Sequence, residues 1–375
     1  MSIYLDNAAT TPLDPLVLEA MMPYMTEKFG NPSSSHSHGR AAKAGLEMAR
    51  KTIAGLINAS PGEIYFTSGG TEADNTILTN SIRQFGIRNV LTARTEHHAV
   101  LHTLEALEER GEIEISYVNT DEKGHVLMDS VSEFLKTYPN SLVSLMQANN
   151  EIANVTDIYS LAEMCEEHGA FFHSDTVQAM GHFPHDMQQL KAHGIVCSAH
   201  KLHGPKGVGF MYLKKNKRFA PFIKGGPQER NMRGGTENIT GIVGMSKALE
   251  LAYAHMEEHQ KHILGLKNRM IRLLSEKISG VEFNGDSESP DSLYTVLNVS
   301  LPPSANNEFI LFNLDIQGIS ASGGSACASG ANTGSHVLTA LGTSPDMGAV
   351  RFSFSKFNAI KDIDQAVEAL VSIYQ

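Results

Sequence analysis

The strongest constraint on this chain is an alternation that runs from about residue 40 to residue 220. Short apolar runs at 63–67, 89–92, 113–118, 142–147, 170–174, 195–198 and 208–213 are separated by amphipathic stretches of helical period. The runs are short, carry β-branched and aromatic residues, and are bounded by turn formers, which favours strands over helices. Strands alternating with helices predict a mostly parallel seven-stranded sheet covered on both faces. The last two runs are joined by a loop too short for a crossover helix, so that pair is expected to be antiparallel.

The remaining segments fall around this unit. Residues 1–13 are polar and end in prolines, and are expected to lie as an extended arm against another part of the fold. A helix opens at Pro15. Residues 221–236 contain Gly225-Gly226-Pro227 and Gly234-Gly235 and have no period, which reads as a long ordered loop of the kind that carries function. Apolar positions at Leu249, Ala252, Met256, Ile263, Leu266, Met270 and Leu273 predict one long helix leading into a second lobe. That lobe has strands near 294–300 and 348–354 and helices near 306–314, 334–341 and 359–373. The division is therefore a large domain over 14–257 and a small α+β domain made of 1–13 and 258–375. No apolar run reaches membrane-spanning length, and Met1-Ser2-Ile3-Tyr4-Leu5-Asp6 lacks the basic region and apolar core of a signal peptide, so a cytoplasmic home is expected. A net charge of −11 argues against bulk affinity for nucleic acid, and three cysteines argue against a disulfide framework.

Within this frame, chemistry concentrates at the ends of apolar runs. Ser198-Ala199-His200-Lys201-Leu202-His203-Gly204-Pro205-Lys206-Gly207 places a lysine in a glycine-proline turn between two strands. Such an amine, partly desolvated, can lose its proton and attack a carbonyl, as Schiff-base lysines do. The decapeptide alone reads equally as a hairpin loop with a surface lysine. Phe171-Phe172-His173-Ser174-Asp175 ends a strand in an acid. Ile64-Tyr65-Phe66-Thr67 leads through Ser68-Gly69-Gly70-Thr71 into a helix over 72–85, a strand–turn–helix that cradles phosphate. Lysine, aspartate and phosphate turn at one sheet edge reinforce each other, because open α/β sheets bind ligands there.

Two further residues are candidates by type and setting. Cys327 lies in the Gly/Ser/Ala-rich segment 320–335, which has little to bury and reads as a mobile loop presenting its thiol. Cys165 and Cys197 fall on apolar faces and read as inert core thiols. Arg351, in Val350-Arg351-Phe352-Ser353-Phe354, offers a fork for a carboxylate, although an exposed strand arginine would look the same. His255, His259 and His262 have the spacing of metal ligands, but His259 lies on the apolar stripe and no acid or cysteine completes a site, so no metal is assigned.

With these motifs in order the chain resembles the cysteine desulfurases of the NifS/IscS group, within the class V aminotransferase-like enzymes that carry pyridoxal 5′-phosphate. The resemblance rests on Tyr4 to Pro12, Asn31 to Ser34, Phe66 to Asn75, Thr95-Glu96-His97, Asn149-Asn150-Glu151, His173 to Gln178, Ser198 to Gly207, Arg233 to Thr236, Ser325-Ala326-Cys327 and Val350 to Ser353. It implies a transferase of fold type I. It further implies that Lys201 tethers the cofactor and removes the substrate's α-proton, that His97 stacks on the pyridine ring and shuttles protons, and that Asp175 pairs with the ring nitrogen. By the same resemblance Gln178 bonds the phenolic oxygen, while Gly70, Thr71, Ser198 and His200 hold the phosphate, joined by Thr236 from the partner subunit of a homodimer. Asn150 and Arg351 would hold the carboxylate of L-cysteine, and Cys327 would take its sulfur as a persulfide, leaving L-alanine.

The resemblance leaves the sulfur acceptor open among iron–sulfur cluster assembly, tRNA thiolation and cofactor synthesis. The run Ala331-Asn332-Thr333-Gly334-Ser335-His336 differs from the acidic or proline residues that several members carry, and the chain stops at Gln375 without the extension that some use to dock a scaffold. Selenocysteine would react by the same route. A non-catalytic sulfur-transfer scaffold would be expected to lack the lysine, aspartate or cysteine, and all three are present.

Overall fold

The computed structural model describes residues 2–215, 217, 219–323, 334–344 and 346–374. Its central sheet has seven strands in the order Ile64–Thr67, Gly209–Leu213, Gly194–Ser198, Phe171–Asp175, Leu142–Ser144, Asn89–Thr92 and Glu114–Tyr117. Every pairing from Gly194–Ser198 to Glu114–Tyr117 is parallel. Gly209–Leu213 runs antiparallel to both of its neighbours, because the short turn 199–208 returns the chain without a crossover helix.

The strands alternate in what they bury. Phe172, Ile195, Cys197, Phe210 and Tyr212 pack into one core with the helices Ser37–Leu56, Ile158–Glu167 and Ile239–Ala254. Phe171, Val196, Met211 and Leu213 point to the other face, against the helices Gly70–Phe85 and His98–Glu109. This period-2 division explains why the runs read as continuously apolar: both faces of the sheet are dry.

A separate core is built on an antiparallel sheet of Glu282–Phe283, Val296–Leu301 and Gly348–Ser353, covered by Met256–Lys277 and Ile360–Tyr374. Leu5 belongs to this core. The arm carrying it pairs in parallel through Ile3–Tyr4 with Ile319–Ser320.

One expectation is corrected here. The apolar stripe over 249–273 is not one helix but two, Ile239–Ala254 and Met256–Lys277, divided at His255, whose φ of −119° and ψ of 19° leave the helical region. Ile242, Met245 and Leu249 serve the large core, whereas Ile263, Leu266, Met270 and Leu274 serve the small one. A single stripe in the sequence thus conceals two faces that bury against different partners. The break also spoils the histidine spacing: His255 caps the second helix beside Glu258, and His262 lies 2.9 Å from the Asn358 carbonyl. Among the described residues no cluster of histidine, cysteine or acid side chains could hold a metal ion, and no helix is long and apolar enough to cross a membrane.

The loop 221–236 is anchored by charge. Glu229 and Arg50 are both almost fully buried and form a two-pronged ion pair, Nη2 to Oε1 at 2.7 Å and Nη1 to Oε2 at 2.8 Å. The same carboxylate accepts the Phe66 N–H at 2.9 Å, which ties the loop to the edge of the strand before the glycine turn. Glu229→Ala would strand a buried guanidinium and a strand N–H. The expected loss is about 3–5 kcal/mol of stability, read as a lower urea midpoint with an unchanged m-value.

Candidate active site

The C-terminal edge of the parallel strands opens into a cavity of about 210 Å³. Its lining combines that edge with the N-terminal arm and the small lobe. Asp175 comes from the end of Phe171–Asp175, Ser198 from the end of Gly194–Ser198, Gly70 and Thr71 from the first turn of Gly70–Phe85, Asn150 from the segment after Leu142–Ser144, and Arg351 from the small-lobe strand Gly348–Ser353.

Lys201 closes a 3-10 turn, Ala199–Lys201, that follows directly on a strand. Its Nζ donates to the carbonyls of Ala8 and Ala9 at 2.6 and 2.8 Å, so the arm 1–13 forms part of the cavity wall. The arm is fastened to the same turn by Thr11, whose N–H and hydroxyl both donate to the His200 carbonyl, and by Thr10 Oγ1 at 3.1 Å from His200 Nδ1. Gln178 donates to Ala8 O at 3.1 Å.

Asp175 is buried, and burial pushes its carboxyl up to about 6, against the pull of the Val177 N–H and Lys201. Its Oδ1 accepts from Val177 at 2.8 Å. Such a carboxylate is matched to a cationic N–H of a ligand. His97 caps the helix His98–Glu109, its Nδ1 accepting the Ala99 N–H at 3.1 Å. Burial first, and then Lys201, lowers its pKa to about 4. The ring is thus neutral with its proton on Nε2. His200 is lowered to about 4 by the same two influences.

Opposite the sheet edge, Arg351 is 1% exposed. Its Nη2 donates to Asp6 Oδ1 at 3.0 Å and its Nη1 to the Asn150 carbonyl at 3.1 Å, while Nε has no hydrogen-bond partner. The guanidinium is held by the arm and by the 149–151 turn, with Nε–H and the second hydrogens of Nη1 and Nη2 not used by these two bonds.

The phosphate turn is shaped by close packing. A Cβ at Gly70 would meet Val177 Cγ2 at 2.7 Å, so only glycine lets the helix start come this near the Asp175 segment. Glu72 accepts the Ser68 N–H at 2.8 Å and pairs with Arg233 Nε at 3.0 Å, which fixes the turn from outside and draws the 221–236 loop onto it.

Of the residues singled out from sequence, Gly70, Thr71, His97, Asn150, Asp175, Gln178, Ser198, His200, Lys201 and Arg351 all line this cavity. Thr236 is exposed and does not line it. Cys327 lies outside the described residues. Cys165 and Cys197 are fully buried, and burial pushes the Cys165 thiol up to about 12 and the Cys197 thiol up as well. Sequence reasoning missed Asp74, Met146, Val177 and the Ala8 and Ala9 carbonyls. Asp74 had a signal: it lies one helical turn after Gly70, on the same face.

A lysine amine, a buried acid and a helix N-terminus with Thr71 and Ser198 hydroxyls beside it have the donor set that pyridoxal phosphate requires: an amine for the aldehyde, a carboxylate for the ring nitrogen, and N–H and O–H donors for the phosphate. On a mostly parallel seven-stranded sheet this defines a pyridoxal-phosphate protein of fold type I. The chain belongs to the class V aminotransferase family, whose model, described as Aminotransferase class-V, matches residues 3–366. It is 41% identical over 379 residues to a cysteine desulfurase IscS of Methanosarcina thermophila, covering 100% of this chain and 92% of that relative. It is 39% identical over 377 residues to a cysteine desulfurase IscS of Dictyoglomus turgidum, with 100% and 94% covered. Among solved structures, a NifS-like protein superposes with a TM-score of 0.91 at 33% identity, over 100% of this chain and 99% of that one. A NifS-like protein from Rickettsia africae gives 0.88 at 29% identity, over 100% and 99%.

Proposed function

We propose that the protein is a cysteine desulfurase, which removes sulfur from L-cysteine to give L-alanine and carries that sulfur as a persulfide on Cys327. The observation that carries this reading is the meeting, in one cavity, of Lys201, Asp175 and Asn150 from the segments around the central sheet with Arg351 from the strand Gly348–Ser353. A carboxylate-bearing amine substrate would be held by its acid at Arg351 and present its α-carbon to Lys201.

The pyridoxal phosphate, when bound, supplies an electron sink for the substrate's α-carbon. The chain's own residues do the rest. Gly70, Thr71, Ser198 and His200 would hold the phosphate, and Asp175 would keep the ring nitrogen protonated. Gln178, on release from Ala8, would bond the phenolic oxygen. Lys201 would take the α-proton, with neutral His97 in the cavity wall carrying a proton at Nε2. Cys327, as a thiolate, attacks the substrate sulfur. The carbon–sulfur bond breaks with its electron pair left on carbon, which takes up a proton, and the sulfur stays on Cys327. No external oxidant or reductant is needed.

The lobes are taken as residues 14–257, and 1–13 with 258–375. Thr236, which does not line the cavity of its own chain, would reach the phosphate of the partner's site in a homodimer, as the resemblance implies. The persulfide would pass to an acceptor protein for iron–sulfur cluster assembly or tRNA thiolation, in a cytoplasmic setting. The test is stoichiometric. Protein loaded with the cofactor and given L-cysteine is expected to form L-alanine and sulfide in equal amounts when a thiol reductant is present. A keto acid in place of alanine would point to transamination and sink the reading.

A further inference from the structure

The motif Asn149-Asn150-Glu151 gives the substrate cavity one residue, Asn150, and leaves Glu151 without a task. Glu151 is wholly buried. Its N–H donates to Asn149 Oδ1 at 2.8 Å and its carbonyl accepts from Asn298 Nδ2 at 3.0 Å, so the turn itself and the small-lobe strand Val296–Leu301 fix its backbone. Its Oε2 accepts the hydroxyl of Ser335 at 2.5 Å. Ser335 Oγ in turn accepts the Leu338 N–H at 3.1 Å and so caps the short helix His336–Ala340. One hydroxyl is both a cap and a tie to a buried acid.

Two neighbours reinforce that tie. His336 Nε2 donates to the Glu96 carbonyl at 2.9 Å, and Val337 and Leu338 pack on Ile152. The helix start is thereby docked on the 149–152 turn. Upstream of residues 324–333, Ser322 exchanges backbone hydrogen bonds with Arg351, its N–H to the Arg351 carbonyl at 3.2 Å and its carbonyl from the Arg351 N–H at 2.6 Å. Ser322 is thus fixed to Arg351, and Ser335 to the neighbour of Asn150, whose own carbonyl accepts from Arg351 Nη1 at 3.1 Å. Cys327 lies between these two anchors in the sequence, so their placement bounds what its thiol can reach.

We propose that Glu151 and Ser335 are positioning residues for sulfur transfer, their hydrogen bond fixing the downstream end of the segment that carries Cys327 to the same turn that holds Arg351. This rests on the reading of Cys327 as the nucleophile and of Arg351 and Asn150 as the holders of the substrate's carboxylate. Substrate and nucleophile are then referred to one rigid turn, which sets the distance between the two reacting sulfurs. A tie that served stability alone would lower the urea midpoint when broken and leave sulfur capture per folded molecule unchanged.

The test uses the full-length holoenzyme in a single turnover with L-cysteine and no acceptor protein. Persulfide on Cys327 is followed by mass spectrometry, and substrate binding by cofactor absorbance with L-alanine, which has the amine and carboxylate but no sulfur. Ser335→Ala is expected to slow persulfide formation by roughly 10- to 100-fold, while the dissociation constant of L-alanine stays within about twofold. Ser335→Thr, which keeps the hydroxyl, is expected to bring the rate back to within about threefold of wild type. Glu151→Ala combined with Ser335→Ala is expected to be no slower than the slower single variant, since both remove the same bond. Persulfide formation in Ser335→Ala within about twofold of wild type, an equal loss of L-alanine binding, failure of Ser335→Thr to restore the rate, or additive effects in the pair would each overturn the proposal. No sulfur on Cys327 in the wild-type protein would instead overturn the reading of Cys327, and the two failures are told apart because only that one shows without a substitution.

Discussion

Lys201→Ala is expected to abolish turnover of L-cysteine, with kcat reduced by at least about 10⁴-fold, and to remove the borohydride-reducible link to the cofactor. General-base catalysis alone contributes about 10²–10⁴-fold, and the same amine also forms the covalent tether, so one substitution removes two functions. The structure explains why no neighbour can substitute. His97 and His200, which line the same cavity, have pKa values lowered to about 4, and neither is an amine. Lys201 reaches the cavity because the Ala8 and Ala9 carbonyls point its Nζ there. Peptide mapping after reduction should place the label on the peptide containing Lys201. A label on another lysine, or turnover in Lys201→Ala near that of wild type, would refute the assignment.

Cys327→Ala separates cofactor chemistry from sulfur transfer. The variant is expected to keep the yellow cofactor complex and its response to L-cysteine, while persulfide formation and sulfide release fall by at least about 10³-fold, equivalent to roughly 4 kcal/mol of barrier. No second thiol can take over. Cys197 lies inside a strand and Cys165 inside the large core, and burial disfavours the thiolate of both. Mass spectrometry of the wild-type protein after L-cysteine should find one added sulfur on the peptide containing Cys327. A persulfide on Cys165 or Cys197, or undiminished sulfide release by Cys327→Ala, would show that the nucleophile lies elsewhere.

What sequence could and could not reveal follows from range. Most of the seven strands were legible because each is a local apolar run buried on both faces; the edge strand Glu114–Tyr117, which has no fully buried residue, was legible from its place in the alternation with helices, and the antiparallel return because the linking turn is short. The lining residues were legible where a motif marks the end of a strand, as at Asp175, Ser198 and Lys201. The contacts of Lys201 with Ala8 and of Arg351 with Asp6 were not, because they join positions 193 and 345 residues apart, which no periodicity encodes. The division of the stripe at His255 was hidden for a related reason. Periodicity reports that a face is apolar, not which core it meets. Asp74 was passed over because an acid on a helix reads as solvated until the sheet beneath it is known.

The pairing of Ile3–Tyr4 with Ile319–Ser320, and of Asp6 with Arg351, has a consequence for biosynthesis. A nascent chain can assemble the seven-stranded unit with its covering helices once residue 254 has left the ribosome, but its leading segment must wait for the last lobe before it can dock. The anion-binding side of the cleft is therefore among the late events of folding, and a bulky fusion at the amino terminus would act on it directly, although it sits far from the catalytic motifs in the order of translation.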